Sequence, residues 1–262
     1  MNVSGRLKTI LRKAGTLVFG KTPKLYRIPF GPLRGHFLYT TFENSPRAFL
    51  GIYDPWLGKI AAQYIKTGDV VFDIGAQIGY TALLFAKILK NTGCVHAFEI
   101  LPSTCKTFLA RTIESNSYTN IKVYPIGFYS EERDFDLPIV QKGMTSVSSE
   151  AKNGVPHERC HVTTIDRFLQ TCDTAPPAFC KMDVERAEID CLKGASGLLS
   201  KSPPVWVIEF HGLDMLQQGT RLLEGFGYRF FDKTNKELTS AETDRLDCFH
   251  DSVLCLPPSI KP

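Results

Sequence analysis

Acids stand at the carboxyl ends of four apolar runs in this chain of 262 residues. Asp73 follows Val70-Val71-Phe72, and Glu99 follows Cys94-Val95-His96-Ala97-Phe98. Asp183 follows Ala178-Phe179-Cys180-Lys181-Met182, and Glu209 lies in Val205-Trp206-Val207-Ile208-Glu209-Phe210-His211. After Asp73 comes Ile74-Gly75-Ala76-Gln77-Ile78-Gly79-Tyr80. Two glycines in that spacing make a tight turn where backbone can come close to a ligand. A dinucleotide fingerprint would need G-x-G-x-x-G, which seats a pyrophosphate on a helix N-terminus. Here Asp73 precedes the turn, and a carboxylate repels a pyrophosphate but suits a ligand bearing positive charge. Glu99 stands about twenty residues past the turn, where an acid can accept both ribose hydroxyls of an adenosine. Positive charge plus ribose points to S-adenosyl-L-methionine. The expected cofactor residues are Asp73, Gly75, Ala76, Gln77, Gly79, Tyr80, Glu99 and Ile100.

The remaining acids suggest what happens to an acceptor. Methyl transfer is an in-line displacement, so positioning is most of the task. An alcohol acceptor must also lose its proton. His211 is the best base by its ordinary pKa, with Asp183 and Glu185 as rivals. A metal-assisted form is the alternative: Asp183 and Glu209 end two strands expected to be neighbours, and two carboxylates with waters suit Mg²⁺. Blander readings stay open for both, since strand-end histidines are often structural and carboxylates routinely bind helix N-termini.

The elements that must hold these groups alternate. Val70–Ile74 reads as a fully buried parallel strand, and Tyr80–Leu89 as an apolar helix. A helix is expected over Ser103–Glu114 with Ser103 as its N-cap, then a strand over Ile121–Ile126. Residues 127–158, including Gly143-Met144-Thr145-Ser146, show little periodicity and read as an irregular region of functional length. Short strand Cys160–Thr164 and helix Asp166–Gln170 follow. Strands ending at Asp183 and His211 alternate with helices over Ala187–Leu199 and Leu213–Phe226. Strands at Tyr228–Phe231 and Ser252–Leu256 close the pattern. The fold class is α/β with a mostly parallel sheet flanked by helices. In such a sheet, ligands bind outside the carboxyl ends of the strands, which gathers Asp73, Glu99, Asp183, Glu209 and His211 at one crevice.

Three blocks together resemble the FkbM-type methyltransferases: Val71–Tyr80, Lys181-Met182-Asp183-Val184-Glu185-Arg186-Ala187-Glu188, and Val207-Ile208-Glu209-Phe210-His211. Thr164-Ile165-Asp166-Arg167-Phe168-Leu169 is a weaker fourth. The resemblance covers about residues 47–231. It implies a class I, Rossmann-like methyltransferase fold with seven strands, the last antiparallel. It also implies O-methylation of a hydroxyl on a sugar, glycolipid or secondary metabolite. The family usually has Asn at Gln77, Pro at Ile100 and Gly at Arg186, and its acid after the third strand is replaced in Gly127-Phe128-Tyr129-Ser130. An N-methyltransferase acting on a small amine, and a non-catalytic methyltransferase-like binding domain, are the alternatives.

Charge is unevenly placed. Residues 1–42 hold eight basic residues and no acid, and the remainder carries 23 basic against 27 acidic residues. Residues 3–20 place Val3, Leu7, Ile10, Leu11, Ala14, Leu17 and Val18 at helical spacing with basic residues between. That pattern fits peripheral contact with an anionic membrane, or a terminal helix docked on its own domain. The expected organisation is an N-terminal extension over residues 1–52 and a methyltransferase domain over 53–262. An acidic body without a base-stacking platform disfavours nucleic acid as partner, leaving a small-molecule or a glycan- or lipid-linked acceptor. Eight scattered cysteines without a C-x-x-C pair, and no apolar run near the roughly 18 residues of a membrane span, suggest a reduced cytoplasmic setting.

Overall fold

The computed structural model describes residues 19–139, 156–244, 246, 248–249 and 251–260. The expected amphipathic helix and the Gly143–Ser146 segment fall outside the described residues, apart from Phe19 and Gly20. The described chain begins with an antiparallel hairpin of β1 (Lys24–Arg27) and β2 (Phe37–Thr40), then α1 (Pro46–Leu50) and α2 (Pro55–Tyr64). Alternation follows with β3 (Val70–Ile74), α3 (Tyr80–Leu89), β4 (Cys94–Phe98) and a broken helical stretch. That stretch is α4 (Pro102–Thr104), a π-turn over Cys105–Leu109, and α5 (Ala110–Glu114), leading to β5 (Ile121–Tyr124). Next come β6 (Gly127–Phe128), β7 (Arg133–Pro138), β8 (His157–Thr163), α6 (Ile165–Thr171) and β9 (Phe179–Met182). The chain ends with α7 (Glu188–Lys193), α8 (Ser196–Lys201), β10 (Val205–Phe210), α9 (Leu213–Glu224), β11 (Arg229–Phe231), β12 (Glu237–Leu238), α10 (Ser240–Thr243) and β13 (Asp251–Leu256).

The main sheet runs β12-β11-β13-β10-β9-β3-β4-β5. Strands β5, β4, β3, β9 and β10 are parallel, and β13 runs antiparallel between β10 and β11. This is the class I methyltransferase order, with β3 at the centre and a strand reversal at the β10 edge. It carries one strand more than the expected seven. Two-residue β12 folds back on β11 because Asp232 closes a turn, its carboxylate accepting from the Thr234 and Lys236 amides at 2.7 and 2.9 Å.

Period two sorts the core into two layers. Val71, Phe179, Val205, Val207 and Leu254 face one side, against α2, α3 and the hairpin residues Ile28, Leu33 and Leu38. Phe72, Cys180, Met182, Trp206 and Ile208 face the other, against Phe168, Leu192, Leu198, Leu216 and Leu223 of α6 to α9. The described part of the N-terminal extension therefore shares a core with the sheet.

Two local expectations need correcting. Ser103 is not an N-cap: Pro102 opens the helix, and the Ser103 amide and hydroxyl donate to Glu158 at 3.0 and 2.6 Å. The region after Ile126 is not irregular where it is described. It forms a three-stranded sheet, β6-β8-β7. Its β7 alternates Phe135 and Leu137 with Asp134 and Asp136, a strand pattern that the surrounding charge obscured. Among the described residues, no helix is long and apolar enough to cross a membrane.

Candidate active site

A cavity of about 260 Å³ opens beyond the carboxyl ends of the central strands. Gly75, Gln77, Glu99, Ile100, Asp183, Glu185, Glu209 and His211 line it, so eight of the expected site residues meet there. Ala76 and Tyr80 border a smaller adjoining recess instead. Gly79 belongs to packing: at φ 87° it starts α3, and a Cβ there would stand 2.9 Å from Leu109 Cδ1.

Asp73 is set back from the cavity. It sits opposite Lys181 in the β3–β9 register and is wholly buried. Its carboxylate accepts from Thr81 Oγ1 at 2.6 Å and lies 3.7 Å from Lys181 Nζ. Burial raises its pKa against the lowering effect of Lys181 and Thr81, and leaves it no surface for direct contact with a ligand. Lys181 also donates to Gly75 O at 2.8 Å and lies 3.6 Å from Asp183. Burial pulls the Lys181 pKa down, but Asp183 and Asp73 outweigh it and hold the ammonium above its ordinary value. This lysine ties the turn after β3 to the end of β9. Gly75 needs to be glycine for the same junction, because at φ 77° a Cβ would stand 1.9 Å from Asp183 O.

Glu99 marks one end of the cavity. Its two oxygens accept from the backbone amides of Gln77 and Leu101 at 3.0 and 3.1 Å. Burial pushes its pKa up to about 7, against the lowering effect of those amides. A carboxylate has about four acceptor sites, so two remain for ligand hydroxyls. Ile100, Leu101, Ile126 and Phe128 form an apolar wall beside it.

The other end is acidic. His211, directly after β10, is buried, and its Nδ1 lies 2.6 Å from Glu188 Oε1. Its Nε2 faces Asp183 and Glu185 at 3.5 Å each and Glu209 at 3.9 Å. Burial would lower the imidazole pKa, but the Glu188 bond, Asp183 and Glu185 raise it to about 9. In this surrounding His211 carries a proton at neutral pH, unlike the ordinary imidazole assumed from sequence. Glu185 and Arg186 both take left-handed backbone, at φ 50° and 74°. Arg186 holds the loop down by donating to His211 O at 2.8 Å and Asp214 Oδ2 at 2.5 Å.

Sequence reasoning assigned no role to Lys181, Glu188 or Tyr53. A lysine inside an apolar parallel strand was itself a signal, because lysine is almost never buried unpaired. Glu188 is an acid in a first helical turn, indistinguishable by pattern from an ordinary dipole partner. Tyr53 lines the cavity beside the ring of Tyr80, at 5.5 Å between centroids, and nothing in its sequence setting announced that.

The model of the methyltransferase FkbM domain matches residues 73–230, more than half of the chain. No curated protein gives a significant match. Among solved structures, an FkbM methyltransferase from Methylobacillus flagellatus is similar at 20% identity and TM-score 0.44. The alignment covers 72% of this chain but 43% of that one, so the chain spans less than half the length of that protein. Fibrillarin from Aeropyrum pernix, with natively bound S-adenosyl-L-methionine, is similar at 13% identity and TM-score 0.46, covering 92% of this chain and 87% of that one. The O-methyltransferase TomG from Streptomyces achromogenes is similar at 14% identity and TM-score 0.42, covering 77% and 79%.

Proposed function

The chain belongs to the S-adenosyl-L-methionine-dependent methyltransferases of the FkbM family, and from that premise we propose that it methylates a hydroxyl oxygen. The observation that carries the reading is the two-ended cavity, with a ribose-type carboxylate at one end and a proton-accepting cluster at the other. When bound, the cofactor supplies a methyl group on a positively charged sulfur. Glu99 would accept its ribose hydroxyls, and the wall of Ile100, Leu101, Ile126 and Phe128 would take the adenine. This replaces the acid that the family usually offers after the third strand. The acidic end suits both the cofactor's positive charge and the acceptor.

Transfer forms a carbon–oxygen bond, breaks the sulfur–carbon bond and releases the hydroxyl proton. With His211 already protonated and held by Glu188, Asp183 and Glu185 are the proton acceptors. His211 then orients the oxygen by facing it with a donor. The acceptor class is a sugar, glycolipid or secondary-metabolite hydroxyl, as the family resemblance suggests. A glycan- or lipid-linked acceptor also suits the basic residues of positions 1–42. The acidic end would equally attract an ammonium, which favours an amine as the second reading. Transfer of labelled methyl to matched hydroxyl and amine acceptors tests the two. Label on hydroxyls is expected, and label confined to amines would overturn the oxygen assignment.

A further inference from the structure

We infer that Asp183, Glu209 and His211 form a site for a first-row divalent transition ion, with Glu188 orienting the imidazole from behind. The inference deepens the hydroxyl reading: such an ion would take the place of the Nε2 proton that His211 carries without it, and would hold the acceptor oxygen at the end of the cavity facing the donor.

Geometry carries it first. One donor atom from each residue lies within 4.8 Å of the other two. His211 Nε2 stands 3.5 Å from Asp183 Oδ1 and 3.9 Å from Glu209 Oε1. Ligands about 2.1 Å from one ion stand roughly 3 to 4.2 Å from one another, so small side-chain adjustments suffice. Glu185 Oε2, also 3.5 Å from Nε2, offers a fourth position.

Orientation carries it further. Metal-ligating histidines almost always donate the other ring N–H to a carboxylate or carbonyl, which fixes the ring and the tautomer. Here Nδ1–H donates to Glu188 Oε1 at 2.6 Å, and Glu188 is 0% exposed. The same oxygen accepts from the Arg186 amide at 3.0 Å. Glu188 is thus fixed by the loop it supports, and it presents the Nε2 edge to the cavity. Surface acids that cluster for solubility have no such buried backing. Asp183 and Glu209 end adjacent strands β9 and β10, so the sheet itself sets their separation.

The donor set selects the ion. Mg²⁺ takes oxygen ligands and keeps its waters, whereas imidazole suits Mn²⁺, Fe²⁺, Co²⁺ and Zn²⁺. One nitrogen with two or three carboxylates therefore departs from the Mg²⁺ expected from Asp183 and Glu209 alone.

The test uses the full chain after chelator treatment, titrated with Co²⁺ by calorimetry and visible absorbance. One Co²⁺ per chain is expected, with Mg²⁺ at least about 100-fold weaker. Glu188→Gln should weaken Co²⁺ by about 10- to 100-fold while keeping the absorbance bands. Glu209→Gln, at a half-buried position, should weaken it and shift those bands. Circular dichroism and S-adenosylhomocysteine binding on the same samples report fold and donor end. A stripped chain that is folded and binds S-adenosylhomocysteine but takes up no Co²⁺ or Zn²⁺ would overturn the ion site alone. So would uptake unchanged in Asp183→Asn and Glu209→Gln. Co²⁺ uptake without S-adenosylhomocysteine binding would support the site and count against the transfer reading.

Discussion

The two ends of the cavity are acidic for different reasons. At Glu99, a single carboxylate is held by two backbone amides from the chain on either side of it. At Asp183, Glu185, Glu209 and His211, side chains from the ends of two strands hold one another, with Glu188 behind. The first end is built by local backbone and stands ready before any ligand arrives. The second gathers like charges, which must be balanced by a proton, a cofactor's positive charge or a cation. In the proposed reading, recognition of the donor falls to the end held by backbone amides, and chemistry to the end where side chains face one another.

Removing one acid from each end separates the two jobs. Asp183→Asn should lower kcat by roughly 10²- to 10⁴-fold while changing donor affinity little. Glu99→Ala should do the reverse, weakening S-adenosylhomocysteine by roughly 10- to 100-fold, as loss of charged hydrogen bonds implies. Calorimetry paired with single-turnover rates reads both, and a swap of the two phenotypes would break the comparison.

Gly75→Ala should damage both ends at once. Its positive φ and the 1.9 Å approach to Asp183 O require the turn or the loop to move. A stability loss of about 1 to 3 kcal/mol is expected by chemical denaturation, with donor binding and turnover falling together. Retention of either one would show that the ends are independent.

The Glu99 end should depend on pH at moderate acidity. Its folded pKa of about 7 exceeds the ordinary 4.5. Its contribution to stability of the ligand-free chain is thus present below pH 4.5 and lost as pH rises through 7. Accepting two hydroxyls needs the ionised form, so donor affinity should rise up to about tenfold per pH unit below 7 and level off above it. Glu99→Gln should flatten that profile, and an unchanged slope would remove Glu99 from the donor site.

The smallest effect is expected at Arg186→Gly. Glycine relieves the left-handed backbone at φ 74°, while the loss of the half-exposed Arg186–Asp214 pair works against it. Net stability should move by no more than about 1 kcal/mol in denaturant melts. A larger loss would make the bond to His211 O the main support of the acidic end.

The legibility of the chain follows the same division. Strands β3, β4, β9 and β10 announce themselves because burial on both faces demands near-continuous apolar runs. The meeting of Gly75, Gln77 and Glu99 at one cavity was legible because they follow two consecutive parallel strands. Asp73 misled, since an acid before a glycine turn looks the same whether it faces a ligand or a buried lysine on the next strand. The place of His211 at the end of β10 was legible, but its raised pKa was not, because Glu188, Asp183 and Glu185 reach it only after folding. Strand β7 was missed because its polar face alternates with only two apolar residues.

Lys181 has a practical consequence. The residue is 6% exposed, and its amine is tied to the carbonyl oxygens of Ile74 and Gly75 at the end of the neighbouring strand. Amine-directed reagents can reach it only through the small recesses that it borders beside Tyr53. Its rate of chemical labelling, followed by peptide mass spectrometry, therefore reports how often the amine leaves Gly75 O and Asp183 in the native protein. Surface lysines such as Lys201 or Lys236 serve as the fast reference on the same molecule.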